Sequence, residues 1–133
     1  MKLAQYERVH LLGIVALCEA EGWPSFPADH ERAHAVLTGP GVTSVVALDD
    51  GEVIAFAYLL SDGHIQAYLA ELAVSVEHRR KGIARALLEY ATPLTGAQRI
   101  DLVTDTAQDF YASLPHHTFT GFRIYPGWKP TDS

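Results

Sequence analysis

The stretch Leu72-Ala73-Val74-Ser75-Val76-Glu77-His78-Arg79-Arg80-Lys81-Gly82-Ile83-Ala84-Arg85 decides how this chain is read. An apolar run of β-forming residues stops at Val76, and past a basic segment the pattern turns helical, with Ile83, Leu87, Leu88 and Ala91 on one face. The basic segment sits where the helix begins. A helix N-terminus carries partial positive charge and unpaired N–H groups, so its first turn favours Asp or Glu. Here Arg79, Arg80, Lys81 and Arg85 crowd it instead. The cluster is unfavourable by itself and becomes favourable when an anion docks, and N–H groups flanked by cations suit a pyrophosphate. Gly82 and the small Ala84 let such an anion approach the backbone. The plainer alternative is a solvated basic helix start with Glu77 and Glu89 as neighbours.

Upstream, VTSVVAL from Val42, the Asp49-Asp50-Gly51 turn, EVIAFAYLL, the Ser61-Asp62-Gly63 turn and HIQAYLAELAVSV predict a three-stranded antiparallel meander over residues 42–76. Two helices are expected before it. One covers Glu7 to Glu21 and stops at Gly22-Trp23-Pro24; the other is HERAHAVL, with Asp29 as its N-cap and Gly39-Pro40-Gly41 as its stop. Downstream of the basic helix, which Pro93 to Gly96 close, RIDLVT predicts a short strand, TAQDFYASL a short helix and GFRIY a terminal strand. The order is ααβββ-αβαβ, a mixed α/β pattern with a central, mostly antiparallel sheet flanked by helices and a first strand that is short or absent.

The chain has 133 residues, 48% of them hydrophobic and 20% charged, enough for one domain over 1–133 with its own core. Ten Lys+Arg against 16 Asp+Glu give a net charge of -6, which argues against nucleic acid as a partner and makes any anion site local. Cys18 is the only cysteine, so no internal disulfide is expected. The start lacks the long apolar run of a signal peptide or membrane span, so the expectation is a cytoplasmic protein without a membrane partner, either monomer or homodimer.

Arg79-x-x-Gly82-x-Ala84 after a long β-run resembles the pyrophosphate loop of the GNAT family, the GCN5-related N-acetyltransferases, which reads Gln/Arg-x-x-Gly-x-Gly/Ala between a strand and a helix. The resemblance covers roughly residues 7–125, and the element order agrees with it. It implies acetyl-CoA as co-substrate. The pyrophosphate would be held by the segment Arg79, Arg80, Lys81, Gly82, Ile83, Ala84 and Arg85. The pantetheine would pair with Leu72, Ala73, Val74 and Val76, where the strand parts from its next neighbour. The N–H of Val74 or a neighbour would polarise the thioester carbonyl.

Acetyl transfer to an amine needs a proton acceptor for the amine and a donor for the departing thiolate. By the resemblance Tyr111 is the donor, against the alternative of a core aromatic with a satisfied hydroxyl. Glu71, the only acid inside the long strand run, matches a carboxylate that members place toward the acceptor; the alternative is a solvent-facing side chain. His64, His116, His117 and Asp105 are reserve candidates, and Trp23, Phe26, Tyr58 and Tyr68 are candidate walls of an acceptor pocket. The sequence departs from the family at Thr104, where many members carry Asn, and at residues 115–120, which intervene before Gly121-Phe122.

The expected activity is transfer of acetyl from acetyl-CoA to a primary amine of a small molecule. Two other readings compete with it. One is a non-catalytic acyl-CoA-binding module. The other is a zinc hydrolase through His30-Glu31-x-x-His34, a formal His-Glu-x-x-His match that lacks a third ligand; no metal is expected.

Overall fold

The computed structural model describes residues 1–127. They fall into two compact units, Met1–Leu102 and one that begins at Val103. The first unit holds a five-stranded sheet in sequential order: β1 (Lys2–Gln5), β2 (Val42–Asp49), β3 (Glu52–Ser61), β4 (Gln66–Val74) and β5 (Arg99–Asp101). All neighbours are antiparallel except β4 and β5, which run parallel.

The hairpin between β2 and β3 follows from Asp50-Gly51. Both residues adopt positive φ, 51° and 80°, the geometry of the two-residue turn that matches strand twist. At the next turn one carboxylate organises the loop. Asp62 Oδ1 accepts from the backbone N–H groups of His64 and Ile65 at 2.8 Å and of Gln66 at 3.2 Å. Those bonds hold its pKa below the usual carboxylate range.

Before the meander come α1 (Leu11–Glu21), entered through a 3-10 turn at Arg8–His10, then the one-turn α2 (Ser25–Ala28) and α3 (His30–Leu37). Gly22 ends α1 in the left-handed conformation, and the Asp29 carboxylate accepts from Arg32 N–H at the start of α3. The meander shares a cross-strand row, Val46 opposite Phe56 opposite Ala73, and that row packs beneath Leu11, Ile14, Cys18, Phe26, Ala33 and Leu37 of the helices. Contact with α1 is close. A Cβ on Gly13 would lie 2.7 Å from Val53 Cβ, so only glycine lets helix and strand meet at this depth. On the opposite face α4 (Ile83–Thr95) buries Ile83, Leu87 and Ala91 against β2, β3 and β4. Because both faces are covered, the central strands read as nearly continuous apolar runs.

The first strand, expected to be short or absent, is present as the four-residue β1, which pairs with β2. Several other expectations need correction. The segment Ser25–Ala28, which separated no pattern in the sequence, forms α2. The third meander strand spans 66–74, because residues 76–78 turn into a 3-10 helix. Helix α4 continues through Pro93, whose ring falls in the last turn, before Gly96 caps it. The terminal strand expected at Gly121–Tyr125 is not formed among the described residues. Phe122, Ile124 and Tyr125 have strand propensity and remain exposed, and propensity without a paired neighbour does not make a strand. Helix α5 (Gln108–Ala112) is present as expected, in the second unit.

Candidate active site

The parallel pair at the sheet edge is short. Strand β5 meets β4 only at Gln66, Ala67 and Tyr68 and ends at Asp101, while β4 continues to Val74. From Leu69 onward β4 is paired on its β3 side alone among the described residues. Ser75 N–H donates to Ile54 O, so by alternation Ala73 faces β3 and the N–H groups of Leu72 and Val74 face the open side. An exposed strand edge of this kind is a template for any extended chain of donors and acceptors. A bulge bends β4 just upstream: Tyr58 opposes Glu71 and Leu59 opposes Leu69, which leaves Ala70 unpaired.

At the end of that edge the chain passes through the Val76–His78 turn into the basic loop. Val76 therefore lies beyond the strand, exposed in the turn, and not in line with Leu72, Ala73 and Val74. Arg80 takes a positive φ of 63° and Gly82, the N-cap of α4, one of 77°. The first helical bond is Ala86 N–H to Gly82 O, so the N–H groups of Ile83, Ala84 and Arg85 have no acceptor within the helix. No side chain caps this end and no acid occupies its first turn. The cations are not equivalent. Arg79 Nη2 is paired with Glu21 at the end of α1, and its Nε donates to Val74 O at 3.2 Å; Arg85 pairs with Glu89 at 3.0 Å. Arg80 and Lys81 have no ion-pair or hydrogen-bond partner among the described residues. The sequence cluster of four therefore resolves into two cations satisfied within the protein and two without a partner among the described residues.

On the face of β4 covered by α1 and α2, Glu71 is half-buried. Tyr58 Oη donates to its Oε1 at 3.4 Å, while Oε2 is buried with no partner. Burial pushes the Glu71 pKa up, and the Tyr58 hydrogen bond opposes that shift. Burial, followed by the Glu71 charge, raises Tyr58 well above the usual phenol range. Phe26 stacks on Tyr58 at 5.7 Å between centroids. Cys18 is buried beside them; desolvation, then the Glu71 and Glu21 charges, push its thiol up to about 12, which keeps it protonated and inert. Of the aromatic candidates, Phe26 and Tyr58 meet here, Trp23 packs against the helix-side core and Tyr68 is exposed on β4.

In the second unit Tyr111 lies on α5, where it contacts Phe110 edge-on at 4.9 Å, and burial raises its phenol pKa. Thr104, in place of the family's Asn, accepts from Ala107 N–H and so shapes the approach to α5. His116 and His117 are exposed, with His116 Nδ1 on Leu114 O and His117 against Phe119. His64 and Asp105 are also exposed.

The His30-Glu31-x-x-His34 pattern is taken up by structure. Glu31 makes a two-pronged ion pair with Arg8, both contacts 2.9 Å, and His34 Nδ1 is hydrogen-bonded to the Tyr6 hydroxyl at 2.8 Å. No cluster of three or more His, Cys, Asp or Glu suited to a metal is found among the described residues. None of the helices there is long and apolar enough to cross a membrane.

A family model described as an acetyltransferase (GNAT) domain matches residues 40–114, more than half of the chain. The chain belongs to the GNAT acetyltransferase family. No curated protein matches it in sequence. Among solved structures it is similar to a putative acetyltransferase from Agrobacterium tumefaciens, at TM-score 0.79 and 22% identity over 94% of this chain and 99% of that one. It is also similar to the aminoglycoside N-acetyltransferase AAC(6')-Iy in complex with CoA, at TM-score 0.74 and 19% identity over 93% and 97% of the two chains. The same enzyme with a bisubstrate analogue, CoA-S-monomethyl-acetylneamine, matches at TM-score 0.75 and 20% identity over 93% and 95%. At these identities the likeness establishes a shared fold.

Proposed function

We propose that the chain, as one domain over 1–133, transfers the acetyl group of acetyl-CoA to a primary amine of a small molecule. The carrying observation is the open edge of β4 running into an uncapped helix start. Outward N–H groups at Leu72 and Val74 suit the amide-bearing pantetheine arm, and the N–H groups of Ile83, Ala84 and Arg85 beside free Arg80 and Lys81 suit a pyrophosphate. The coenzyme supplies the acetyl thioester. Glu71, on the same strand, takes the proton of the acceptor ammonium, and its raised pKa makes it a stronger base than an exposed glutamate. Tyr111, neutral at pH 7 with its pKa raised further by burial, keeps a proton available for the leaving thiolate. Similarity to enzymes solved with CoA and with a CoA-aminoglycoside analogue supports the co-substrate and a small-molecule acceptor.

The test is an amine panel with acetyl-CoA, followed as release of free thiol. Turnover on a small-molecule amine is the expected result; coenzyme binding without turnover on a broad panel would favour a binding module. In the same assay Tyr111→Phe should lower kcat about tenfold and leave the Kd of CoA unchanged. An unaltered kcat would remove Tyr111 from the acid role.

The free cations give a separate expectation. Arg80→Ala combined with Lys81→Ala should weaken CoA binding about tenfold at low ionic strength, and the loss should shrink as salt screens the exposed charges. Titration calorimetry at two salt concentrations reads both effects, and equal affinity for the double variant and the parent would rule out a phosphate role for this pair.

A further inference from the structure

The two oxygens of Glu71 are in different situations. Oε1 accepts from Tyr58, the residue directly opposite on β3, whereas Oε2 is buried with no donor among the described residues. The pairing is built into the sheet. The unpaired Ala70 shifts the register so that Tyr58 and Glu71 face each other on the helix-covered side. The phenol ring is fixed in turn by stacking on buried Phe26. A buried polar atom without a partner among the described residues carries a desolvation cost, so the one hydrogen bond the carboxylate makes, to Tyr58, fixes its orientation.

We propose that Tyr58 is a positioning residue for Glu71, holding the carboxylate in one orientation through Oε1 for the transfer of the acceptor's proton. This rests on the reading of Glu71 as the base. In the step an N–H bond of the substrate ammonium breaks and an O–H bond forms on the Glu71 carboxylate; the nitrogen keeps the electron pair it then uses on the thioester. Tyr58 loses no proton, and its raised pKa keeps it a donor across the working pH range. The remaining titratable groups near the pair are Cys18 and Glu21 from α1 and Tyr68 from β4. Cys18 stays protonated, and Glu21 is paired with Arg79.

Tyr58→Phe is the test, because it keeps the ring and its stacking and deletes only the hydroxyl. Two readouts are taken on the full chain: the titration of Glu71 by NMR on protein labelled with carbon-13 glutamate, assigned by the signal lost in Glu71→Gln, and the pH profile of kcat/KM. With Tyr58→Phe the Glu71 midpoint and the acid limb should move together to higher pH. At the plateau kcat should fall about fivefold, with the KM for acetyl-CoA unchanged. A midpoint that stays where it is in the parent overturns the role of Tyr58. An acid limb that survives Glu71→Gln overturns the base assignment itself, and this proposal with it.

Discussion

Glu71→Gln is expected to lower kcat by about 100- to 1,000-fold while CoA binds as tightly as before, because the change removes a proton acceptor and leaves the strand edge intact. Single-turnover release of thiol, with calorimetry on the same preparations, separates the two quantities. The acid limb of the parent should lie above the ordinary glutamate range and vanish in the variant. Stability moves the other way. The folded-state pKa of Glu71 is raised, so the native state holds that proton more tightly than the unfolded chain does. The resulting stabilisation is present below the ordinary glutamate pKa and is lost as pH rises through the Glu71 value. Above that value the folded protein carries an ionised carboxylate in a half-buried position at a cost. Glutamine carries none, so the variant should melt at a higher temperature than the parent at pH 7 and show less advantage at pH 4. An inactive variant that is also less stable at pH 7 would mean that Glu71 is a structural residue.

Gly82→Glu should raise the Kd of CoA about 100-fold. The substitution brings a carboxylate to the end of α4 that offers three unshared N–H groups and no acid of its own, so the new side chain competes with the phosphates for the same donors. Strain is a separate contribution. Gly82 has φ of 77°, where any L-residue costs about 1 kcal/mol, though a Cβ would meet nothing within 4 Å. Gly82→Ala therefore serves as the control: it carries the strain without the charge and should weaken binding only a few-fold. Equal losses for Ala and Glu would assign the effect to backbone geometry and count against an anion site.

Much of this site was legible in the amino-acid order because it depends on local chemistry. The turn at Asp50-Gly51, the Asp29 cap, the switch of period after Val76 and the absence of acids at Ile83–Arg85 are each set by a few adjacent residues. What escaped the sequence depends on distant partners. Arg79 reads as a member of a free basic cluster until Glu21, from the end of α1, is seen beside it. Tyr58 reads as one aromatic among several, and only the bulge at Ala70 sets it against Glu71. Glu31 and His34 form a plausible metal pattern in one dimension, but Arg8 and Tyr6, which engage them, are contributed by the chain ahead of α1. The terminal strand failed for the converse reason: Phe122, Ile124 and Tyr125 have the propensity, and no strand partner is found for them among the described residues.

The parallel placement of β5 beside β4 has a geometric corollary. Parallel neighbours cannot be joined by a hairpin, so the connection must travel back along the sheet, and here α4 makes that journey. Its outset necessarily lies where β4 finishes, and because β5 stops after three residues, the length of β4 left unpaired on that side lies toward the same corner. The unpaired strand edge and the helix origin are thus one consequence of chain routing, which brings outward backbone donors and unshared helix N–H groups to the same end of the sheet.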